Sequence, residues 1–299
     1  MEFLAYEFMQ RALLAGVLAG VLCSCVSLFV VLQRMAFVGV GVSHSALGGI
    51  AIGVLLGVNP VFSAAVFCTV VAWAIGLVSK RGRLHEDTVI GVFFSTSMAL
   101  GIALISLAPG YQPELFSFLF GNILAVTAGD ILLLAAAGTV IILFMVLFFK
   151  ELLFVCFDEE SARAAGIPAT FLYFGLLTVV AVTVVVSVKL LGIVLASALL
   201  VIPAMTGYEV CRNFRGMLVV SVCCGVSAAV AGLWLSYFLN LPSGATIVLC
   251  AASLFFLAFL LSPRRGRFQR IAALAKTRNP ADKPEAFPPE SAQPTQTTS

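Results

Sequence analysis

Apolar runs of about twenty residues, interrupted by short polar or charged breaks, recur along nearly the whole chain. A helix rising 1.5 Å per residue needs about 20 apolar residues to cross a hydrocarbon layer of roughly 30 Å. Nine membrane-spanning helices are therefore expected, at 12–32, 37–58, 61–79, 89–108, 131–149, 171–188, 190–208, 217–239 and 245–262. The first run is too long for the apolar region of a signal peptide, and no small-residue cleavage site follows it, so it reads as a retained helix. The stretch from Leu115 to Val126 is apolar but too short to cross, which suits an interfacial or re-entrant piece. After residue 262 the pattern collapses into prolines, polar residues and charges. Residues 1–262 thus form a membrane domain, and 263–299 a disordered, basic, Pro-rich tail that cannot bury enough to fold.

Charge placement fixes an orientation. With the N-terminus outside, the C-terminus cytoplasmic and each run crossing once, every basic residue except Arg11 and Lys189 falls on the inner side. Arg34, Lys80, Arg81, Arg83, Lys150, Arg163, Arg212 and Arg215 hold this bias even without the tail, as the positive-inside rule requires. The weakest boundary is Lys189, the sole polar break in 171–208, where two spans are expected to meet. The tail's first arginines, from Arg264 to Arg270, would hold the last helix at the anionic cytoplasmic leaflet.

Composition excludes most other classes. The chain is 61% hydrophobic and 10% charged, against roughly 25% charge in soluble domains, and its mean hydropathy is +1.12. A net charge of +3 is spent on topology rather than on nucleic acid. None of the fourteen carboxylates falls near the middle of a span, whereas proton-coupled carriers need ionisable groups at membrane depth. No GxxxxGK[ST] phosphate loop exists. The chain is therefore read as no enzyme, without a permanently bound cofactor. If it transports, a separate subunit supplies the energy. The eight cysteines lie in or beside apolar runs without a CxxC pair and read as small buried hydrophobes. Gly49, Gly53 and Gly57, like Gly16 and Gly20, recur every four residues, a spacing that permits close helix contact in lipid.

Two segments carry candidate chemistry. His85 sits in a charged loop, but His44 lies inside the second apolar span, flanked by Ser43 and Ser45. On a helix Gly41 and Gly48 share its face, so an open notch beside the imidazole is expected. An ionisable group at that depth is a functional candidate, and imidazole suits Zn, Cu, Fe or Ni. The alternative is a helix–helix hydrogen bond. In the loop between the fifth and sixth spans, Asp158 is a good N-cap, Glu159 and Glu160 suit the positive helix end, and Gly166 with Pro168 stops the helix. A short helix at 158–166 follows, either a docking element or a plain surface connector.

These segments, with others, make the chain resemble the permease subunits of ABC importers for zinc, manganese and iron. The resemblance rests on Phe29 to Phe37 followed by Ser43-His44, on Leu119 to Val126, on Leu199 to Ala204 and on Leu241 to Leu249. It runs in the same order from about residue 10 to 262. It implies an all-α ABC importer permease fold in the bacterial inner membrane. It also implies a homodimer, two copies of an ATP-binding subunit, and an extracytoplasmic metal-binding protein. Asp158, Glu159, Glu160, Ala162, Arg163, Ala164, Ala165 and Gly166 would form the coupling helix seated in the ATPase. The family commonly has an aspartate four residues before the histidine, and here that position is Val40. Only His44 carries over as an ion contact, with Ser43 and Ser45 as neighbours. Zn²⁺ accepts imidazole more readily than harder ions such as Mn²⁺ do, so zinc is the expected cargo, with manganese, iron or a metal chelate as alternatives and a secondary carrier acting alone as the rival reading.

Overall fold

The computed structural model describes residues 7–82, 85–107, 121 and 123–262, and among these the chain is helical with no strand. The tail 263–299, Arg83 and most of the expected interfacial piece (115–120 and 122) lie outside the described residues. In chain order the helices are α1 (Glu7–Leu32), α2 (Ala36–Leu56), α3 (Pro60–Gly82), α4 (Glu86–Leu107) and α5 (Ala128–Leu147). They continue with α6 (Phe149–Phe157), α7 (Glu159–Ala164), α8 (Ala169–Leu191), α9 (Ile193–Leu199), α10 (Ile202–Val210), α11 (Phe214–Leu239) and α12 (Ser243–Leu261). A single 3-10 turn, Ile123–Ala125, precedes α5. Taking α9 and α10 together, nine segments among the described residues are long and apolar enough to cross a membrane.

Local chemistry sets the turns between them. α2 ends where Gly57 takes φ 67, a left-handed value that glycine reaches without a Cβ clash, and its N–H bonds back to Gly53 and Val54. Asn59 then accepts from the Val61 N–H at 3.0 Å, and Pro60 opens α3 at the position where a missing N–H costs nothing. α5 starts with a complete capping box: the Thr127 side chain accepts from Asp130 N, and the Asp130 carboxylate accepts from Thr127 N at 3.2 Å.

Three spans depart from the sequence expectation. The sixth span does not stop at Lys189 but runs to Leu191, and the break falls at Gly192, with φ 82 and ψ 165. Lys189 need not leave the helix, because its ammonium forms an ion pair with Asp130 of α5. The seventh span is itself interrupted, by a turn at Leu200 and Val201 between α9 and α10. The fifth span also ends earlier than expected, at Leu147, and the chain re-forms a helix, α6, where a loop was expected. Leu152 and Val155 of α6 are buried, and the Phe149 ring meets Phe29 edge-on at 5.7 Å, so tertiary packing holds this piece.

The most enclosed spans are α1, α2 and α8, while α4, α5 and α12 lie at the periphery. α2 packs between α3 and α4, α1 against α11, and α3 against α8. Lipid tails are as apolar as leucine, so close packing rather than the hydrophobic effect joins such helices. A Cβ on Gly49 would lie 2.6 Å from Ala64 Cα, and one on Gly53 would lie 2.9 Å from Pro60 Cα, so α2 and α3 touch backbone to backbone. The α1–α11 seam likewise brings Gly20 and Gly225 together, and the Ser221 hydroxyl donates across it to Ser24 O at 3.2 Å. The described residues include all eight cysteines, and no disulfide forms among them.

One end of the bundle collects the basic residues. Lys80 at the end of α3 bonds Glu159 of α7, Phe157 at the end of α6 meets Phe214 at the start of α11, and Phe149 meets Phe29 near the end of α1. Arg34, Lys80, Arg81, Lys150, Arg163, Arg212 and Arg215 therefore share this basic end, with the Asp130–Lys189 pair at the opposite one.

Candidate functional site

His44 sits in the middle of α2, half-buried. Its Nδ1 lies 3.0 Å from the Val40 carbonyl, one turn earlier, and its ring meets Phe94 of α4 edge-on with centroids 4.8 Å apart. A ring donating Nδ1–H to that carbonyl holds its orientation and keeps the Nε2 lone pair for another partner. Ser43 and Ser45 are fully buried. The Ser43 hydroxyl donates to Val40 O at 2.9 Å and lies 3.5 Å from Nδ1, while Ser45 donates to Gly41 O at 2.8 Å. Both hydroxyls thus serve the helix backbone.

The expected notch beside His44 is closed at Gly48 and only narrowed at Gly41. A Cβ on Gly41 would come within 2.7 Å of Ile90 Cγ2, and one on Gly48 within 2.9 Å of Ser97 O. Both glycines admit α4, and at Gly41 a cavity of about 290 Å³ remains, bordered also by Phe37, Val40, Ile90, Phe94 and Asp87. Asp87 thus lies on the same cavity wall as Val40, a relation between two helices that spacing within one segment could not reveal.

The neighbouring stretch of α4 carries a second signal missed in the sequence. Thr69, Thr139 and Ser253, all within spans, each donate to the carbonyl four residues earlier. Ser95 and Thr96 are exposed at a similar depth and make no such bond. Unpaired hydroxyls are unfavourable against hydrocarbon, so this exposed face of α4 suits water, a passing ion or another protein surface better than lipid. Among the described residues no three His, Cys, Asp or Glu side chains converge as a metal-holding group.

α7 forms where the sequence placed it. Asp158 caps it, accepting from Ser161 N at 3.0 Å and from the Ser161 hydroxyl at 2.5 Å, and these bonds hold its carboxyl below the usual range. Partial burial works against the Glu159 carboxylate, but Lys80 and Arg163, each at 2.6 Å, outweigh it and keep the group below its ordinary value. Gly166, at φ 82, closes the turn. Of the expected docking residues, Asp158, Glu160, Arg163, Ala164, Ala165 and Gly166 are exposed, whereas Ala162 is buried against the bundle and Glu159 is drawn towards α3. At the same basic end, Lys150, Arg212 and Arg215 border an open cleft of about 800 Å³ between α6 and the start of α11, which the sequence dispersed over two distant segments.

The chain is similar to known proteins over almost its full length. Residues 5–262 match the model of the ABC 3 transport family. The manganese transport system membrane protein MntC of Halalkalibacterium halodurans is 36% identical over 269 residues, covering 90% of this chain and 92% of that protein. The chelated iron transport system membrane protein YfeD of Yersinia pestis is 34% identical over 285 residues, covering 93% and 94%. The solved structure of PsaBC from Streptococcus pneumoniae in complex with Fab superposes with a TM-score of 0.82 at 34% identity, covering 91% of this chain and 99% of that one.

Proposed function

This chain belongs to the ABC 3 transport family, and from that premise we propose that it carries a divalent transition metal, zinc before manganese, past His44 at a contact between two copies. As a metal-importer permease it is a multi-pass protein of the bacterial inner membrane and no enzyme; a separate subunit hydrolyses ATP.

The observation that carries the ion path is His44 itself. It is the one imidazole within the spans, anchored through Nδ1 to Val40 O and packed edge-on against Phe94 of α4. One copy gathers no closed ligand set among the described residues. A two-fold contact across the α2–α4 face would bring two imidazoles together, which is why the reading takes a homodimer. An ion that must cross is better served by few, weak ligands than by a closed cage.

With the basic end in the cytoplasm, as the positive-inside rule favours, α7 presents Glu160, Ala164 and Ala165 to the ATPase. An extracytoplasmic metal-binding protein would deliver the ion at the opposite end. In this arrangement nucleotide-driven motion of the ATPase reaches the spans through Lys80–Glu159 and the α6–α11 contact of Phe157 and Phe214.

The choice of zinc rests on the donor types. Imidazole without a carboxylate one turn away suits Zn²⁺ better than the oxygen-preferring Mn²⁺. Manganese is the second reading, favoured by the names of relatives such as MntC. Proteoliposomes holding the permease, its ATPase and its binding protein separate the two: ATP-driven uptake of zinc over manganese, lost in His44→Ala at unchanged protein level, supports the proposal. Uptake of manganese alone would overturn the cargo, and full uptake by His44→Ala would overturn the path.

A further inference from the structure

A second, larger cavity is lined by no residue of the His44 site. α3 and α5 flank α8 and leave between them a groove of about 1210 Å³, with α8 as its floor. Its walls are hydrocarbon, including Trp73 and Leu77 of α3, Ala136, Val140 and Phe144 of α5, and Phe174 of α8. Only two hydroxyls border it, and both are engaged. Thr178 accepts from the Trp73 indole at 2.9 Å and donates to Phe174 O, while Thr170 faces Arg163 Nη2 at 3.5 Å. The groove therefore offers an occupant no polar partner along its length and one cation at its mouth.

The geometry points to a bound phospholipid, one acyl chain lying in this groove and its phosphate at Arg163. Along α8 the lining runs from Thr170, one residue from the helix start, to Val182. Twelve residues at 1.5 Å make about 18 Å, close to the roughly 15 Å of a single leaflet's hydrocarbon. The groove thus begins at the basic end and stops near the membrane middle, as one chain of a lipid in that leaflet does. At the mouth, Arg163 is about half exposed, with a side-chain exposure of 54%, and bonds Glu159 through Nη2. A guanidinium has five N–H donors, so donors remain for a phosphate, and planar guanidinium–phosphate pairing is a strong match. Basic groups at the ends of inter-helix grooves are a recognised way to hold lipid headgroups. Arg163 belongs to α7, so the lipid would touch the docking helix directly. The site rests on the membrane reading of the chain and is independent of which ion crosses.

The test is native mass spectrometry of the permease extracted in mild detergent and supplied with phosphatidylethanolamine or phosphatidylglycerol, with diacylglycerol as the phosphate-free arm. Ala136→Phe and Val140→Phe each fill the groove, and Leu143→Phe changes an exposed α5 position outside it. The wild type and Leu143→Phe are expected to retain one phospholipid per chain, and either groove variant to retain at least fivefold less. Arg163→Gln should lower phospholipid retention towards that of diacylglycerol. Equal retention by the groove variants and the wild type would overturn the site. So would equal retention of diacylglycerol and phospholipid, or disulfide formation between two copies through Val140→Cys, which would make the groove a protein interface.

Discussion

Replacing Gly49 by alanine is the sharpest probe of the packing that positions His44. The added Cβ would stand 2.6 Å from Ala64 Cα and 3.0 Å from Phe67 Cβ, where ordinary contact begins at 3.4 Å. The obstructing atom is backbone, so α2 and α3 must separate by about 0.8 Å over that turn. Overpacking of this kind costs about 1–3 kcal/mol, and a clash with backbone belongs at the upper end. Against it stands the helix-propensity gain of alanine over glycine, at most about 1 kcal/mol. The net expectation is a loss of about 2 kcal/mol. Gly91 on α4 supplies the internal control, because a Cβ there meets nothing within 4 Å. Gly91→Ala should therefore hold or gain up to about 1 kcal/mol. Denaturation of the purified permease in SDS, followed by tryptophan fluorescence, gives both numbers on one scale. Equal stabilities for the two variants would refute the backbone contact between α2 and α3.

Three further outcomes follow from the same geometry. Asp158→Ala should weaken ATPase binding a few-fold while Asp158→Asn, an equally good N-cap, keeps it, as measured by co-purification or calorimetry. Asp158 and Glu159 both have carboxyls held below their ordinary values, so their contribution to α7 is complete above the usual carboxylate range and lost as the pH falls through the lowered values; ATPase binding should be flat from neutral to mildly acidic pH and fall only in stronger acid. Val40→Asp places a carboxylate one turn from His44 and should raise manganese uptake relative to zinc several-fold in proteoliposomes.

Much of this architecture was legible because lipid imposes a single demand on a spanning segment, about twenty apolar residues, and the runs met it. The short helix α7 was legible for a local reason as well: Asp158, the acidic first turn and Gly166 all act within one short stretch. What escaped was non-local. Lys189 looked like a boundary only because its partner Asp130 lies 59 residues earlier. The break at Gly192 was hidden by apolar neighbours on both sides. Gly41 and Gly48 suggested a notch beside His44, and only α4, arriving with Ile90 and Ser97, shows that it closes at Gly48 and persists as a small cavity at Gly41. The cavity that Asp87 shares with Val40 likewise depends on how α4 lies against α2.

The account stands or falls on the basic end with α7 being the face that a separate ATPase grips. An introduced cysteine, Ala164→Cys, in the assembled importer measures this directly with a membrane-impermeant thiol reagent. The account predicts labelling only from the cytoplasmic side, protection when the ATPase is bound, and loss of ATP-driven uptake once the site is blocked. Labelling of intact cells from the outside, or full uptake after complete modification, would contradict it.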